Sequence, residues 1–367
     1  ICSNSLKYYG PVKNGLLETG IQSPEKEEKE VCIIVFPDGT KYEGEIHSNK
    51  ISGEGKYYFP SGAKYTGSVL NGLRDGFGKY HSPEGVTYEG EWKSGLKNGK
   101  GIMKTESMTY EGNWEMGNIH GKGKIKWENG NVFEGEFKQN HMNGFGYMIW
   151  FDIYEKYIGN WENDTQSGNG IHIWYEPAGE LKEMRNRYVG QWKNGARNGY
   201  GVFFYSNGAR YEGEWKNNLK DGIGKMTFGT EGEYTGHFTQ GKRCGEGVYK
   251  YLKTKDLYSG SWKNGLKHGK GTFIFYDTKM KLVGDWFNGQ IVKGKWIFAN
   301  GTYFEGKFEN NYPKGEGVWH FVNGNVVKGE FTHEIKEIEA KGKEKEKKET
   351  IIDWKSELEE EKEEKYI

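Results

Sequence analysis

From Tyr42 onward the sequence repeats itself. Tyr88-Glu89-Gly90-Glu91-Trp92-Lys93-Ser94-Gly95, followed by Asn98-Gly99-Lys100-Gly101, returns as Tyr211-Glu212-Gly213-Glu214-Trp215 with Asp221-Gly222-Ile223-Gly224. It returns again as Tyr258-Ser259-Gly260-Ser261-Trp262-Lys263-Asn264-Gly265 with His268-Gly269-Lys270-Gly271. Thirteen units start at Tyr42, Tyr65, Tyr88, Tyr110, Phe133, Tyr157, Tyr188, Tyr211, Tyr234, Tyr258, Leu282, Phe304 and Val327. Eleven of the twelve spacings are 22 to 24 residues; the exception, 31, separates Tyr157 from Tyr188. A period of this length means an array of small supersecondary units, each unable to bury its apolar face alone and each leaning on its neighbours.

The unit reads as a β-hairpin. Alternate residues of a strand share a face, so Tyr88, Gly90 and Trp92 point one way and Glu89 and Glu91 the other. The glycine between the two aromatics leaves a flat patch of backbone on which a neighbouring ring can lie. The stretch from Lys93 to Gly99 is expected to turn the chain, with Asn98-Gly99, Asn198-Gly199 and Asp221-Gly222 supplying positive φ. Gly-x-Gly then opens a return strand such as Tyr200 to Tyr205, and a second turn at Asn207-Gly208 leads to the next unit. In the Leu282 unit Gly294 comes one residue late and Trp296 stands in place of the second glycine, which a one-residue bulge would accommodate. One hairpin is marginal in water, whereas stacked hairpins bury one another's rings. The expected fold is therefore all-β: an elongated, twisted, single-layer antiparallel sheet of tandem hairpins. At about 4.8 Å per strand, thirteen units would extend roughly 120 Å.

Composition agrees with a thin sheet and excludes several classes. Hydrophobic residues make up only 34%, yet the chain holds 25 Tyr, 19 Phe, 13 Trp and 57 Gly. Disordered chains share the low hydrophobicity but lack the rings. Lys plus Arg and Asp plus Glu both number 52, so no net charge draws the chain towards nucleic acid or an anionic membrane. The three cysteines, Cys2, Cys32 and Cys244, are far apart and lack metal-ligand spacing, as expected of reduced thiols in a cytoplasmic setting. No apolar run approaches the roughly 18 residues of a membrane span. A Gly-x-Gly pair such as Gly53-Glu54-Gly55 has Tyr58, not glycine, three residues on, so it reads as backbone geometry and not as a nucleotide loop. His120 and His268 occupy one repeat position and read as turn residues. Carboxylates such as Glu89 and Glu91 recur down the chain, unlike a catalytic pair. Neither catalytic, cofactor-binding nor metal-binding residues are expected.

Residues 1–41 read as a degenerate capping repeat. Tyr8 to Gly15 copies the first half of the unit, Val31 to Gly39 the second, and a Glu- and Lys-rich insertion at 24–30 separates them. Residues 42–331 form the array. Residues 332–367 read as a charged tail: from His333 onward 22 of 35 residues are Lys, Glu or Asp. There Ile351, Trp354 and Leu358 fall at helical spacing, with Glu/Lys pairs to support a helix. The tail is expected to be either a solvated helix or a docking helix. Departures from a regular scaffold are where specificity concentrates. The expected partner contacts are therefore Trp174, Tyr175, Arg185 and Arg187 of the insertion near 174–187, and Ile351, Trp354 and Leu358 of the tail, with the exposed aromatic face.

The unit Tyr-x-Gly-x-Trp-x-x-Gly-x-x-x-Gly-x-Gly resembles the MORN repeat (membrane occupation and recognition nexus), which implies a rod-like antiparallel sheet without an active site. The stretch Tyr157-Ile158-Gly159-Asn160-Trp161, leading through Ile171-His172-Ile173-Trp174-Tyr175 and the insertion into Tyr188-Val189-Gly190-Gln191-Trp192, is similar to the radial spoke head protein 10 homologue B family of motile cilia. That resemblance implies a structural scaffold of the axonemal radial spoke head, partnered with other spoke-head proteins, a second copy or other MORN proteins, that helps relay mechanical signals between central pair and outer doublets. Two alternatives stay open: a membrane- or phosphoinositide-associated MORN scaffold, against which the zero net charge argues, and another ciliary or cytoskeletal scaffold of the central pair or basal structures. A third, the targeting arm of an enzyme, would need a domain that does not follow Phe331 here.

Overall fold

A computed structural model describes residues 7–9, 12–13, 16–17, 31–175, 184–338 and 347–356. These residues form a 28-stranded open antiparallel sheet, in which each strand pairs with its neighbours in sequence, and a separate two-stranded ladder of Val12–Lys13 with Leu16–Leu17. Lys7–Tyr9 pairs with Cys32–Val35, placing Tyr8 opposite Ile34, and Cys32–Val35 pairs in turn with Lys41–His47. The chain divides into two compact units, Ile1–Arg185 with Trp192–Gly195 and Asn186–Gln191 with Ala196–Ile367.

In the first unit, Thr87–Lys93 and Leu96–Lys104 make one hairpin. Its two-residue turn is Ser94-Gly95, at φ 48° and 84°, and Asn264-Gly265 repeats this in the second unit at φ 52° and 83°. Positive φ at both positions is the turn whose twist matches paired strands. The Asn-Gly pairs expected to turn the chain lie elsewhere. Gly90 pairs with Gly101 and Trp92 with Lys97, so Asn98, Gly99 and Lys100 together face Glu91 in a bulge of the return strand. Gly99, Gly199 and Gly222 do have positive φ, at 63°, 93° and 98°. The positive φ thus serves the bulge, not the turn. Asn207-Gly208 does turn between units, with the Gly208 amide donating to the Tyr205 carbonyl at 3.1 Å.

The Leu282 unit departs from expectation too. Gly284 pairs with Gly294 and Leu282 with Trp296, so Gly294 is the second glycine of the pair and Trp296 belongs to the strand beyond it. The shift falls between Asp285 opposite Lys293 and Trp286 opposite Ile291, leaving only Val292 unpaired. The bulge has lost a residue instead of gaining one.

Among the described residues the expected tail helix is not found. Val326–Ile338 runs past residue 331 as one strand, and Lys347–Ser356 pairs with it antiparallel, Trp354 opposite Phe331. Ile351 and Trp354 therefore lie on opposite faces. The Trp354 ring lies tilted 4.8 Å from Phe331 and edge-on 6.0 Å from Phe304, while Ile351 is exposed. Pairing covers the open edge of Val326–Ile338 and buries a ring, a gain that an isolated charged helix does not offer. Leu358 lies outside the described residues.

Candidate interaction surface

The aromatic face is built from the tyrosine. Tyr42, Tyr65, Tyr88, Tyr110, Tyr157, Tyr188, Tyr211, Tyr234 and Tyr258 are all fully buried. Each ring lies across the glycine pair of its own repeat. A Cβ on Gly101 would sit 2.4 Å from the Tyr88 hydroxyl and 2.5 Å from its ring carbons. The flat glycine patch therefore takes the ring of its own hairpin, not that of a neighbour. The hydroxyl reaches over the pair and donates to the backbone carbonyl three residues on, as from Tyr88 to Glu91 at 2.9 Å and from Tyr65 to Ser68 at 2.7 Å. Burial pushes these phenols up, to about 12 for Tyr65, Tyr188 and Tyr234, and it pushes Tyr57 of the return strand Lys50–Tyr58 up to about 12 as well.

The tryptophan couples one repeat to the one before. The Trp92 indole donates to the Gly78 carbonyl at 3.2 Å, Trp215 to Gly201 at 3.2 Å and Trp262 to Gly247 at 3.1 Å. Its ring meets two tyrosines edge-on: Trp92 lies 5.4 Å from Tyr65 and 5.1 Å from Tyr88, at interplanar angles of 85° and 87°, and Tyr88 meets Trp114 in the same way at 5.3 Å and 86°. Such edge-to-face pairs add about 0.5–1.5 kcal/mol beyond area burial. The ladder passes from ring to ring within the first unit as far as Trp192 and, within the second, from Tyr188 to Trp286.

Two further positions complete the unit, and sequence reasoning missed both. The second carboxylate or amide of Tyr-x-Gly-Glu caps the bulge. Glu91 accepts from the Lys100 amide at 3.0 Å, Glu214 from Ile223 at 3.2 Å and Gln191 from Tyr200 at 2.7 Å. Nine residues after the tyrosine stands a cation in six units, laid over the next unit's ring. Arg74 is 4.2 Å from the Trp92 centroid, Lys97 4.5 Å from Trp114, Arg197 4.6 Å from Trp215, Arg243 4.4 Å from Trp262 and Lys267 4.6 Å from Trp286; Lys220 lies 5.7 Å from Phe238. The signal in the sequence was a basic residue recurring two places after the hairpin turn. Desolvation, then the nearby Arg243, pushes Lys267 down to about 8, and the same two causes lower Lys220.

The opposite face is polar and charge-matched. Lys79 pairs with Glu89 at 2.8 Å, Lys124 with Glu134 at 3.2 Å and Lys270 with Asp285 at 2.7 Å. The glycines align strand by strand into a row, unbroken from Gly44 to Gly170 in the first unit and from Gly201 to Gly329 in the second. On the polar side of the first unit that row floors a groove of about 920 Å³ whose walls include Phe77, Ile102, Phe145 and Tyr147. Among the described residues, no group of three or more His, Cys, Asp or Glu could hold a metal ion.

A family model described as MORN repeat matches the chain twelve times, from 42–64 to 304–326, together more than half its length. The chain belongs to the MORN repeat family. Eleven of the twelve MORN matches begin on the residue at which the sequence analysis starts a unit, and the other begins at residue 283 instead of Leu282. Matches 157–176 and 188–210 flank the long spacing. A comparison with curated proteins returns no match. With its tandem MORN hairpins closed on one another by rings and backbone, the chain is a repeat scaffold.

The site residues expected from sequence fall into separate places on this MORN sheet. Trp174 and Tyr175 end the strand Thr165–Tyr175, and Arg185 and Arg187 lie near the start of Met184–Lys193, which narrows the interruption to the residues between. Trp174 stacks 4.2 Å from the buried His172, whose Nε2 lies 2.8 Å from a Glu155 carboxylate oxygen. Arg187 stacks 4.4 Å over Phe204. Ile351 is exposed on one side of its strand and Trp354 packed on the other. The aromatic face expected to meet partners is largely consumed internally, since the tyrosines that open its repeats and most of its tryptophans are buried.

Proposed function

We propose that this chain is a structural subunit of the axonemal radial spoke head, joining spoke-head proteins and helping to relay mechanical signals between central pair and outer doublets in ciliary motility. The observation that carries the reading is the single interruption of an otherwise regular array. The Tyr157 unit ends in Ile171-His172-Ile173-Trp174-Tyr175, and Tyr188-Val189-Gly190-Gln191-Trp192 resumes the pattern, as in the radial spoke head protein 10 homologue B family. A sheet whose every hairpin is pinned to the next suits a load-bearing part, because deforming one unit strains the rings of its neighbours. Trp174, Tyr175, Arg185 and Arg187 beside the interruption, and the edge strand carrying Ile351 and Trp354, are the places where spoke-head partners or a second copy would dock. No nucleic acid and no cofactor enters this reading, and the protein would reside in the cytoplasmic axoneme. Cross-linking mass spectrometry on detergent-extracted axonemes tests it. Lysine cross-links to spoke-head proteins are expected, and departure of the protein with the detergent-soluble membrane fraction would overturn it.

A further inference from the structure

Charge is segregated between the two faces of the second unit. On the polar face three lysines have partners: Lys225 pairs with Glu233 at 3.1 Å, Lys270 with Asp285 at 2.7 Å and Lys295 with Glu305 at 3.4 Å. On the aromatic face four consecutive repeats present Arg197, Lys220, Arg243 and Lys267, and among the described residues none of the four is in an ion pair. The two arginines spend part of their hydrogen-bonding capacity on the following hairpin, Arg197 on the Asn218 carbonyl at 3.0 Å and Arg243 on the Gly265 carbonyl at 2.7 Å. Lys220 and Lys267 have no hydrogen-bond partner among the described residues; their surroundings are the rings of Tyr211, Phe238, Tyr258, Phe273 and Trp286. All four are half-buried, so none is sealed beneath the sheet surface. A row of like charges held on a poorly hydrated aromatic surface lacks its counter-charge.

We infer that this row is a docking track for an α-helix of a partner protein that carries a carboxylate about every seven residues along one face. The spacing selects the helix. Equivalent residues of successive repeats are two strands apart, about 10 Å, so the four cations span about 30 Å. Seven residues of α-helix rise about 10.5 Å. An extended peptide repeats its facing side chains at about 6.8 or 13.6 Å and falls out of step by the second cation. The carboxylates would meet guanidinium and ammonium groups that are in no ion pair among the described residues, and the helix stem would lie over the half-exposed rings of Tyr249 and Phe273. This deepens the scaffold reading by naming a partner's chemistry, and its test is made in vitro, so it can fail while the axonemal assignment stands, or the reverse.

The probe is a fluorescein-labelled 28-residue helical peptide with glutamates at heptad spacing, titrated against the full chain by fluorescence anisotropy at 50 and 200 mM NaCl. The control is a helical peptide of the same composition with glutamates five residues apart. The heptad peptide is expected to bind at least tenfold tighter than the control and to weaken with salt. Each of Arg197→Gln, Lys220→Gln, Arg243→Gln and Lys267→Gln should weaken it about threefold, within the range of partly exposed ion pairs, while Lys270→Gln on the other face leaves it unchanged. Because those variants disturb packed rings, carbodiimide coupling of the unaltered protein provides an independent readout. Peptide adducts are expected at Lys220 and Lys267 and not at Lys225 or Lys270. Equal binding of both peptides, adducts confined to the polar face, or capture only by vesicles of phosphatidylcholine with one-fifth phosphatidylserine would each overturn the inference.

Discussion

Substituting Gly101 by alanine tests the central packing claim, that a glycine pair exists to seat its own repeat's tyrosine. Gly101 has no positive φ, so backbone strain does not enter. The added Cβ would stand 2.4 Å from the Tyr88 hydroxyl oxygen and 2.5 Å from Cε2 and Cζ, against an ordinary contact of about 3.5–4 Å. The ring must rise by about 1 Å. It has no free direction, because Trp92 and Trp114 meet it edge-on at 5.1 and 5.3 Å and the residue is fully buried. Overpacking costs about 1–3 kcal/mol. Breaking the 2.9 Å bond from the Tyr88 hydroxyl to the Glu91 carbonyl in a buried setting adds about 1–2 kcal/mol. The expected loss is about 3–4 kcal/mol. Gly85→Ala is the control. Its φ of +83° carries a strain of about 1–2 kcal/mol, but nothing lies within 4 Å of the new atom.

Because repeat arrays do not unfold all at once, the assay is native-state hydrogen exchange read by mass spectrometry over Thr87–Glu115. Gly101→Ala should speed exchange there about a hundred- to a thousandfold and Gly85→Ala about tenfold. In a Tyr88→Leu background, which removes the hydroxyl and part of the ring, the cost of Gly101→Ala should fall below about 1 kcal/mol. If Gly101→Ala costs no more than Gly85→Ala, or the same with and without the tyrosine, the ring-on-glycine argument is wrong.

Four other outcomes follow from the same geometry. Trp354→Ala should lower stability of the last repeats by about 2–3 kcal/mol in urea titrations, and Ile351→Ala by less than about 1 kcal/mol, whereas a helix stripe would make the two losses comparable. Glu214→Ala should cost about 1 kcal/mol by uncapping the Ile223 amide, and Glu214→Gln far less, since Gln191 does this work in its own unit. Phenols held near 12 in the fold and near 10 unfolded keep their protons only when folded, so urea midpoints should fall above pH 10, by up to about 1.4 kcal/mol per pH unit for each tyrosine. Lys267, near 8 when folded and near 10.5 unfolded, works the other way and should make stability rise slightly between pH 8 and 10. A midpoint unchanged from pH 10 to 11.5 would refute the tyrosine part.

The period, the antiparallel hairpin and the division into faces were legible because one-residue alternation and a fixed spacing determine them locally. Tyr88, Gly90 and Trp92 share a face whatever else the chain does. The exchange of turn and bulge was not legible, since both want positive φ and both use glycine; Asn98-Gly99 and Ser94-Gly95 differ only in which carbonyls and amides they leave to be satisfied. That difference is made by long-range partners, the Glu91 carboxylate and the Tyr88 hydroxyl. The tail misled for a similar reason. Ile351, Trp354 and Leu358 are helically spaced, and the decisive fact, an unpaired strand at Val326–Ile338 with Phe331 needing a ring beside it, lies some twenty residues upstream. The Gly-x-Gly signature is missing from the last return strand because Trp354, not a tyrosine, covers Gly329: a Cβ there would meet the Trp354 ring at 2.6 Å.

The construction also decides where partners can be told apart. Tyrosine, glycine pair and tryptophan are committed to holding each unit to the next, so changing them damages the array before it changes a surface. What varies freely is the residue nine places after the tyrosine, the outward residues of the polar face and the interruption. At the first of these the twelve units before Val327 differ: arginine or lysine in six, but Ile51, Ile119, Met142 and Gln166 in the first compact unit and Ile291 and Pro313 in the second. Gln166 stands where the array is interrupted, and six residues on along the same return strand, opposite Tyr157, His172 takes the place of an ordinary apolar residue, stacked between Trp150 at 5.8 Å and Trp174 at 4.2 Å. The Gln166 amide nitrogen lies 3.4 Å from His172 Nδ1, a polar contact that the hydrocarbon or carbon ring found at that place in the other repeats could not return. The replacement of one residue is thus explained by the replacement of its neighbour, and the interruption carries a local chemistry that the regular repeats lack.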